Sequence, residues 1–345
     1  MTIFWLLFLW PALAVLSPFR LTLGGQRFAW FSVAVIFSLI VGLRHEVGGD
    51  WQTYLPIFHD TSGLTFVEAI SKSDPGYFAL NWLVAQLGGS IYWVNLFCAL
   101  LLMWGTVIFC RRQPNPWLAL LVSVPYMLIV VGMGYTRQSV ALGFALIGLV
   151  ALAEQRVRWF VAWVVLGALF HKSAVLLLPI AALAVTQNRI LIATIIGATT
   201  ALMYYLLLQS SSDALWTNYV GADLQSQGGA VRVAMNAVPA ILLFLFRTRL
   251  LLEKKERNLW LWMSAFALAC IPLVGLASTA IDRLALYLIP LQLFVFARLP
   301  RLAGSTASRT ALVISLVAYY AAVEFVWLNY ATHSQYWVPY HFMPL

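Results

Sequence analysis

The sequence predicts an all-α fold, a polytopic transmembrane bundle of about twelve helices with amphipathic helices in an outer loop. Three observations predict it. Of 345 residues, 62% are hydrophobic and only 10% charged, where a soluble domain carries about 25% charged residues, and no water-soluble fold could cover so much apolar surface. The apolar residues fall into runs close to the ~20 residues that cross a bilayer as a helix. Many of the fifteen tryptophans, among them Trp10, Trp51, Trp93, Trp117, Trp159 and Trp327, sit at the ends of those runs, where an amphipathic ring suits the headgroup layer.

Taken in order, the runs predict helices near 2–18, 28–43, 91–109, 117–133, 137–153, 158–170, 172–186, 189–208, 231–247, 258–276, 283–298 and 309–329. The first lacks a preceding basic region and reads as a membrane helix rather than a cleaved signal. The second ends at Arg44 and opens the larger outer loop, 44–90, with amphipathic stretches such as Gly76 to Leu87. The segments 158–170 and 172–186 are each short. They read as two spans broken at His171 and Lys172, the alternative being one long kinked helix. After 189–208 comes a second outer loop, 209–230, polar and rich in Gly, Ser and Gln. Neither an internal repeat nor a separate soluble domain is visible, so residues 1–345 read as one integral membrane domain.

Charge tests this layout, because Lys and Arg collect in the inner loops of membrane proteins. Fifteen of the 21 basic residues (Arg20, Arg27, Arg111, Arg112, Arg156, Arg158, Arg189, Arg247, Arg249, Lys254, Lys255, Arg257, Arg298, Arg301 and Arg309) fall in loops of one parity. The other parity holds Arg44, Lys72, Arg137, Lys172, Arg232 and Arg283, with eight of the twelve acids: Glu46, Asp50, Asp60, Glu68, Asp74, Asp213, Asp223 and Asp282. Both termini are thus expected outside. The net charge of +9 reflects this topology rather than a nucleic-acid partner. Cys98, Cys110 and Cys270 form no CxxC pair and predict no disulfide framework. The five histidines lack ligand spacing, so no metal site is expected, and there is no Walker loop or dinucleotide fingerprint. No cofactor is expected.

Basic side chains on the outer parity break the rule, and charged groups at membrane depth are functional candidates. Four segments carry them. In Gly42-Leu-Arg-His-Glu-Val-Gly-Gly-Asp-Trp-Gln-Thr-Tyr54 a span ends in Arg44 and a Gly pair turns the chain before Asp50 and Tyr54; the bland alternative is a snorkelling helix-end arginine. In Gly132-Met-Gly-Tyr-Thr-Arg-Gln-Ser-Val-Ala141, Arg137, Gln138 and Ser139 are donors at a helix start, where exposed amides also favour an anion; a simple capped helix start is the alternative. In Leu169-Phe-His-Lys-Ser-Ala174, His171 could act as a base near neutral pH, although lone histidines are more often structural. Asp282 and Arg283 stand side by side at a helix start, as a functional pair or a local ion pair. Together they place three arginines, Lys172, a histidine and carboxylates at one face of an apolar bundle. Arginine suits a diphosphate, because its planar fork makes paired charge-assisted bonds and stays charged when partly desolvated.

At these residues the chain resembles the EpsG family of exopolysaccharide polymerases, Wzy-like in role. Arg44, Gly49-Asp50-Trp51 and Tyr54 resemble the family's first-loop signature, Arg137-Gln138 its central pair, and Phe170-His171-Lys172-Ser173-Ala174 with Pro179 its His-x-Ser element. Asp282-Arg283 with Tyr287 resembles its late acidic-Arg pair, and Trp337-Val-Pro-Tyr340 its ending. The resemblance implies a GT-C-like glycosyltransferase of the bacterial inner membrane with its site facing the periplasm. It would join oligosaccharide repeats carried on undecaprenyl diphosphate, as donor and acceptor, into exopolysaccharide, capsule or O-antigen, beside candidate flippase and chain-length-regulating partners. A sugar hydroxyl attacks the anomeric carbon and lipid diphosphate leaves. Arg137 and Arg283 would hold the diphosphate, with Arg44 assisting. His171 would orient or deprotonate the hydroxyl, and Asp50 or Asp282 would position residues or acceptor, with Gln138, Tyr54 and Lys172 as further contacts. Two rivals remain: a flippase for the same lipid, favouring midplane charges and repeated halves, and a membrane O-acyltransferase. Glycan ladders, translocation or acetate incorporation tell the three apart.

Overall fold

In a computed structural model the chain is described over residues 1–19, 21–185, 189–205, 228–250, 253–275 and 278–344. The loop expected at 209–230, with Asp213 and Asp223, lies outside the described residues except for its last three positions, and Arg20 lies outside as well. The architecture is all-α. Its helices are α1 (Thr2–Leu16), α2 (Leu23–Gly42), α3 (Trp51–Ser62), α4 (Phe66–Ile70), α5 (Pro75–Gln86), α6 (Ile91–Arg111), α7 (Pro116–Gly134), α8 (Thr136–Ala153), α9 (Val157–Phe170), α10 (Lys172–Ala184), α11 (Arg189–Met203), α12 (Gly229–Phe246), α13 (Lys254–Leu273), α14 (Ser278–Leu286), α15 (Pro290–Phe296) and α16 (Thr306–Tyr330).

Among the described residues, α2, α6, α7, α8, α12 and α16 are each long and apolar enough to cross a membrane. A seventh crossing forms if the bent pair around Pro290 counts as one span. Four further apolar helices, α1, α9, α10 and α11, are shorter. Every predicted segment therefore has a helical counterpart, but not every one is a full-length span. The shortening at α9 and α10 has a local cause. His171 is extended (φ −154°, ψ 112°), and the chain turns back so that Ala174 packs against Gly167. Residues seven apart in one continuous helix would be separated by ~10 Å along the axis, so the break is a reversal, not a kink.

The centre of the bundle is α7 and α8, which are buried nearly all round, whereas α16 and α2 turn most of their surface outward. Helices apolar on every side belong in such a core. The approach of α6 to α8 depends on Gly105 and Gly143: a Cβ on Gly105 would stand 2.0 Å from the Gly143 carbonyl oxygen, so backbones meet there without side chains between them, as small residues allow in membranes. In α7, residues Val124–Val131 are wound as a π-helix that contains Pro125, whose missing N–H already interrupts regular α-helical bonding.

The larger loop, 44–90, is not loose chain. Trp51, Tyr54 and Phe58 of α3 and Tyr77 and Val84 of α5 pack with Ile91 and Val94 of α6 and with Val140 and Phe144 of α8, forming a cap over one end of the bundle. The C-terminal segment straps this cap. Arg44–His45 (β1) pairs antiparallel with His341–Phe342 (β2), the Gly48 amide donates to the Tyr336 carbonyl at 2.8 Å and the Met343 amide to the Leu43 carbonyl at 2.8 Å. At the opposite end of α8, Glu154 pairs with Arg112 and, at 3.2 Å, with Arg156, and Glu256 meets Arg298 at 3.3 Å.

Candidate active site at the capped end

The capped end begins with two aspartates that do not cap. Asp50 and Asp74 occupy the position before α3 and α5, yet neither side chain bonds its own helix, although aspartate at that position normally accepts from the first amides. The Asp74 carboxylate turns to arginine instead. Asp74 Oδ2 accepts from Arg137 Nη1 at 2.6 Å, with the Asp74 side chain 4% and that of Arg137 25% exposed. Burial raises the Asp74 carboxyl above its ordinary range, opposed by the neighbouring charges of Arg137 and Lys172. Burial likewise raises Asp50, while Arg283, Arg137 and the Tyr54 hydroxyl pull it down.

Arg137 starts α8, and its guanidinium carbon lies 5.7 Å from the Tyr54 ring centre and 5.9 Å from that of Tyr77. Aromatic faces at that range attract a cation. Burial pushes the Tyr54 hydroxyl up to about 12, so it stays a neutral donor beside Asp50. Gln138 Nε2 donates to the Arg283 carbonyl at 3.2 Å, tying α8 to α14, and its Oε1 is buried with no hydrogen-bond partner among the described residues.

His171 lies on the chain reversal, facing α14. Its Nε2 is 3.3 Å from Arg283 Nη1, its Nδ1 is 2.6 Å from Ser173 Oγ, and Ser173 Oγ is 3.0 Å from the Tyr287 hydroxyl. The Ser173 amide also donates to Nδ1 at 3.3 Å, and a guanidinium can only donate, so donors approach both ring nitrogens while a neutral imidazole has one lone pair to offer. The tautomer with its lone pair on Nε2 turns that nitrogen to Arg283. The chain of bonds fixes the ring's orientation, as the third member does in other base-containing sites.

Structure and sequence diverge at two predicted positions. Arg44 is 1% exposed and donates to Val47 O at 2.9 Å, Val41 O at 2.7 Å and Thr136 Oγ1 at 2.7 Å. It holds loop to helix beneath the site, its donors directed at protein acceptors. Asp282 pairs through both oxygens with Arg232 of α12, beside the site rather than in it. The structure brings Asp50, Tyr54, Arg137, Gln138, His171, Lys172 and Arg283 together at one end. Sequence reading did not single out Asp74, Ser173 or Tyr287 as site residues, nor Arg232 as a partner of Asp282.

A bundle of membrane-spanning helices with arginines, carboxylates and an imidazole gathered at one end belongs to the class of multi-pass membrane proteins. The EpsG family model matches residues 27–342. The chain belongs to the EpsG family, and membership implies an exopolysaccharide-polymerase-like function. No curated protein and no solved structure matches the chain.

Proposed function

We propose that the protein is a polysaccharide polymerase that joins undecaprenyl-diphosphate-linked oligosaccharide repeats at the outer face of the bacterial inner membrane. The observation that carries this reading is the juxtaposition of His171 Nε2 and Arg283, 3.3 Å apart, at the bundle end where Arg137 also stands in the first turn of its helix. Glycosyl transfer from a lipid diphosphate needs both a proton acceptor and a cationic seat for the leaving group.

In the reaction the acceptor hydroxyl oxygen bonds to the donor's anomeric carbon, and the bond from that carbon to the diphosphate oxygen breaks with its electron pair going to the diphosphate. The hydroxyl proton passes to His171 Nε2, or to Asp50, whose carboxyl burial raises. Arg137 and Arg283 face the charge that grows on the leaving group, where donors fixed in a dry site act most strongly. Drawing Arg283 toward the diphosphate uncovers His171 Nε2, so donor binding readies the base in the tautomer whose lone pair lies there. Arg44 positions the site from beneath, and Tyr54, Gln138 and Lys172 line it.

The test is a deletion strain and the purified protein. The strain should accumulate a single lipid-linked repeat, and the protein should convert that repeat into a glycan ladder. Arg137→Ala should abolish polymer while protein remains in the membrane. Normal polymer length from that variant removes the reading, translocation without ladders makes the protein a flippase, and acetate incorporation makes it an acyltransferase.

A further inference from the structure

We propose that the cavity between α12 and α16 is the groove that seats the isoprenoid chain of the lipid carrier; this rests on the reading above and gives the carrier's apolar part a place. The cavity has a volume of about 480 Å³, within the range of sites that take drug-sized ligands. Its walls are apolar, with Val130, Met235, Ala322, Val323, Val326 and Trp327, and both flanking helices are apolar enough to cross the bilayer. From Tyr319 to Tyr330 the α16 wall runs three turns, ~16 Å at 1.5 Å per residue, or about half the hydrocarbon thickness. Val231, Val326 and Tyr330 are exposed, so the groove opens sideways toward lipid and a chain can enter from the membrane.

Its polar end decides the occupant. Tyr135 and Arg232 line that end; Tyr135 lies two residues before Arg137, and Arg232 holds Asp282, whose chain neighbour Arg283 faces His171. Tyr135 stands within electrostatic reach of Asp50 and Arg283, so the groove's polar end lies beside the arginines assigned to the diphosphate. A molecule that fills both is an anionic head carrying one long apolar chain along a single line. A phospholipid, with two chains and a phosphodiester in the headgroup layer, would leave the arginines behind.

Binding to the full-length purified protein tests this without turnover. The probes are undecaprenyl diphosphate and isopentenyl diphosphate, which share a head and differ in chain. The wild-type protein should bind the long probe at least tenfold more tightly, since every buried methylene adds to affinity. Val326→Trp and Met235→Trp, from opposite walls, should each erase roughly tenfold of that preference and leave the short probe's affinity unchanged. A diazirine near the far end of the chain should label the 319–330 stretch of the wild-type protein, a readout that needs no variant. Labelling elsewhere, equal binding of the two probes, or displacement of the long probe by phosphatidylglycerol at equal concentration overturns the groove. Chain binding as expected in a protein that makes no ladder would instead leave the groove and remove the polymerase.

Discussion

The most informative perturbation is Asp74→Asn. Asp74 bonds Arg137 at 2.6 Å with its side chain 4% exposed, and Gly76 lets the start of α5 lie close against Leu169 and Phe170, which brings the carboxylate within reach. Hydrogen bonds to charged groups contribute about 1.5–3 kcal/mol, and an asparagine keeps the shape and one acceptor while removing the charge. If the carboxylate serves to hold Arg137 in position for the leaving group, most of that energy is lost in the transition state. At 1.36 kcal/mol per tenfold, kcat should fall by about 10- to 100-fold, with KM for the lipid-linked donor changed by no more than about threefold. Asp74→Glu should recover part of the loss. The assay is the initial rate of ladder formation by purified protein against donor concentration, with protein amount measured in the same sample. A variant with unchanged kcat and a lowered KM would show that Asp74 merely competes with the substrate for Arg137, and would refute the positioning role.

Three further outcomes follow from other contacts. Arg44→Lys should lower the thermal midpoint of the purified protein, because one ammonium cannot reach the three acceptors the planar guanidinium serves and an unmet buried acceptor costs about 1–3 kcal/mol; an unchanged midpoint would mean the arginine is not structural. Trp337→Ala removes a ring packed against Gly134 and Gly49 and a 3.0 Å bond to the Ile129 carbonyl, and should cost about 3–5 kcal/mol, seen as faster limited proteolysis between residues 44 and 50 together with reduced polymer. Glu324 is 1% exposed with no hydrogen-bond partner for either oxygen among the described residues, so Glu324→Gln should hold or raise the midpoint while Glu324→Lys lowers it.

Much of the fold is legible because the membrane forces it to be. With no water to satisfy backbone groups, apolar runs must be helices, and each predicted run has its helix. The reversal at His171 was also legible, since a histidine and a lysine between two half-length apolar runs have no place in one span. Their half length was legible too: the short runs expected at 158–170 and 172–186 are α9 and α10, which fall short of a full crossing.

The site was legible residue by residue but not in its pairings, and the reason is geometric. Asp282 and Arg283 are adjacent in sequence, which suggests a local pair. On a helix, neighbours project about 100° apart and do not face each other. Asp282 accordingly faces Arg232 on α12 and Arg283 faces His171 on the reversal. Asp74 carries an equally misleading local signal, because an aspartate before Pro75 and a helix reads as a cap, and nothing nearby announces that its carboxylate reaches Arg137, 63 residues on. Arg44 ends a span, which suggests a head group available to the diphosphate or snorkelling to the interface; it is buried by the strap of residues 334–343, which arrive from the far end of the chain. In each case sequence supplied the charge, and a contact distant in sequence decided what the charge does. Substitutions of Arg44 should therefore register in stability, and those of Arg137 and Arg283 in turnover, a division that measuring both quantities on one set of variants will test.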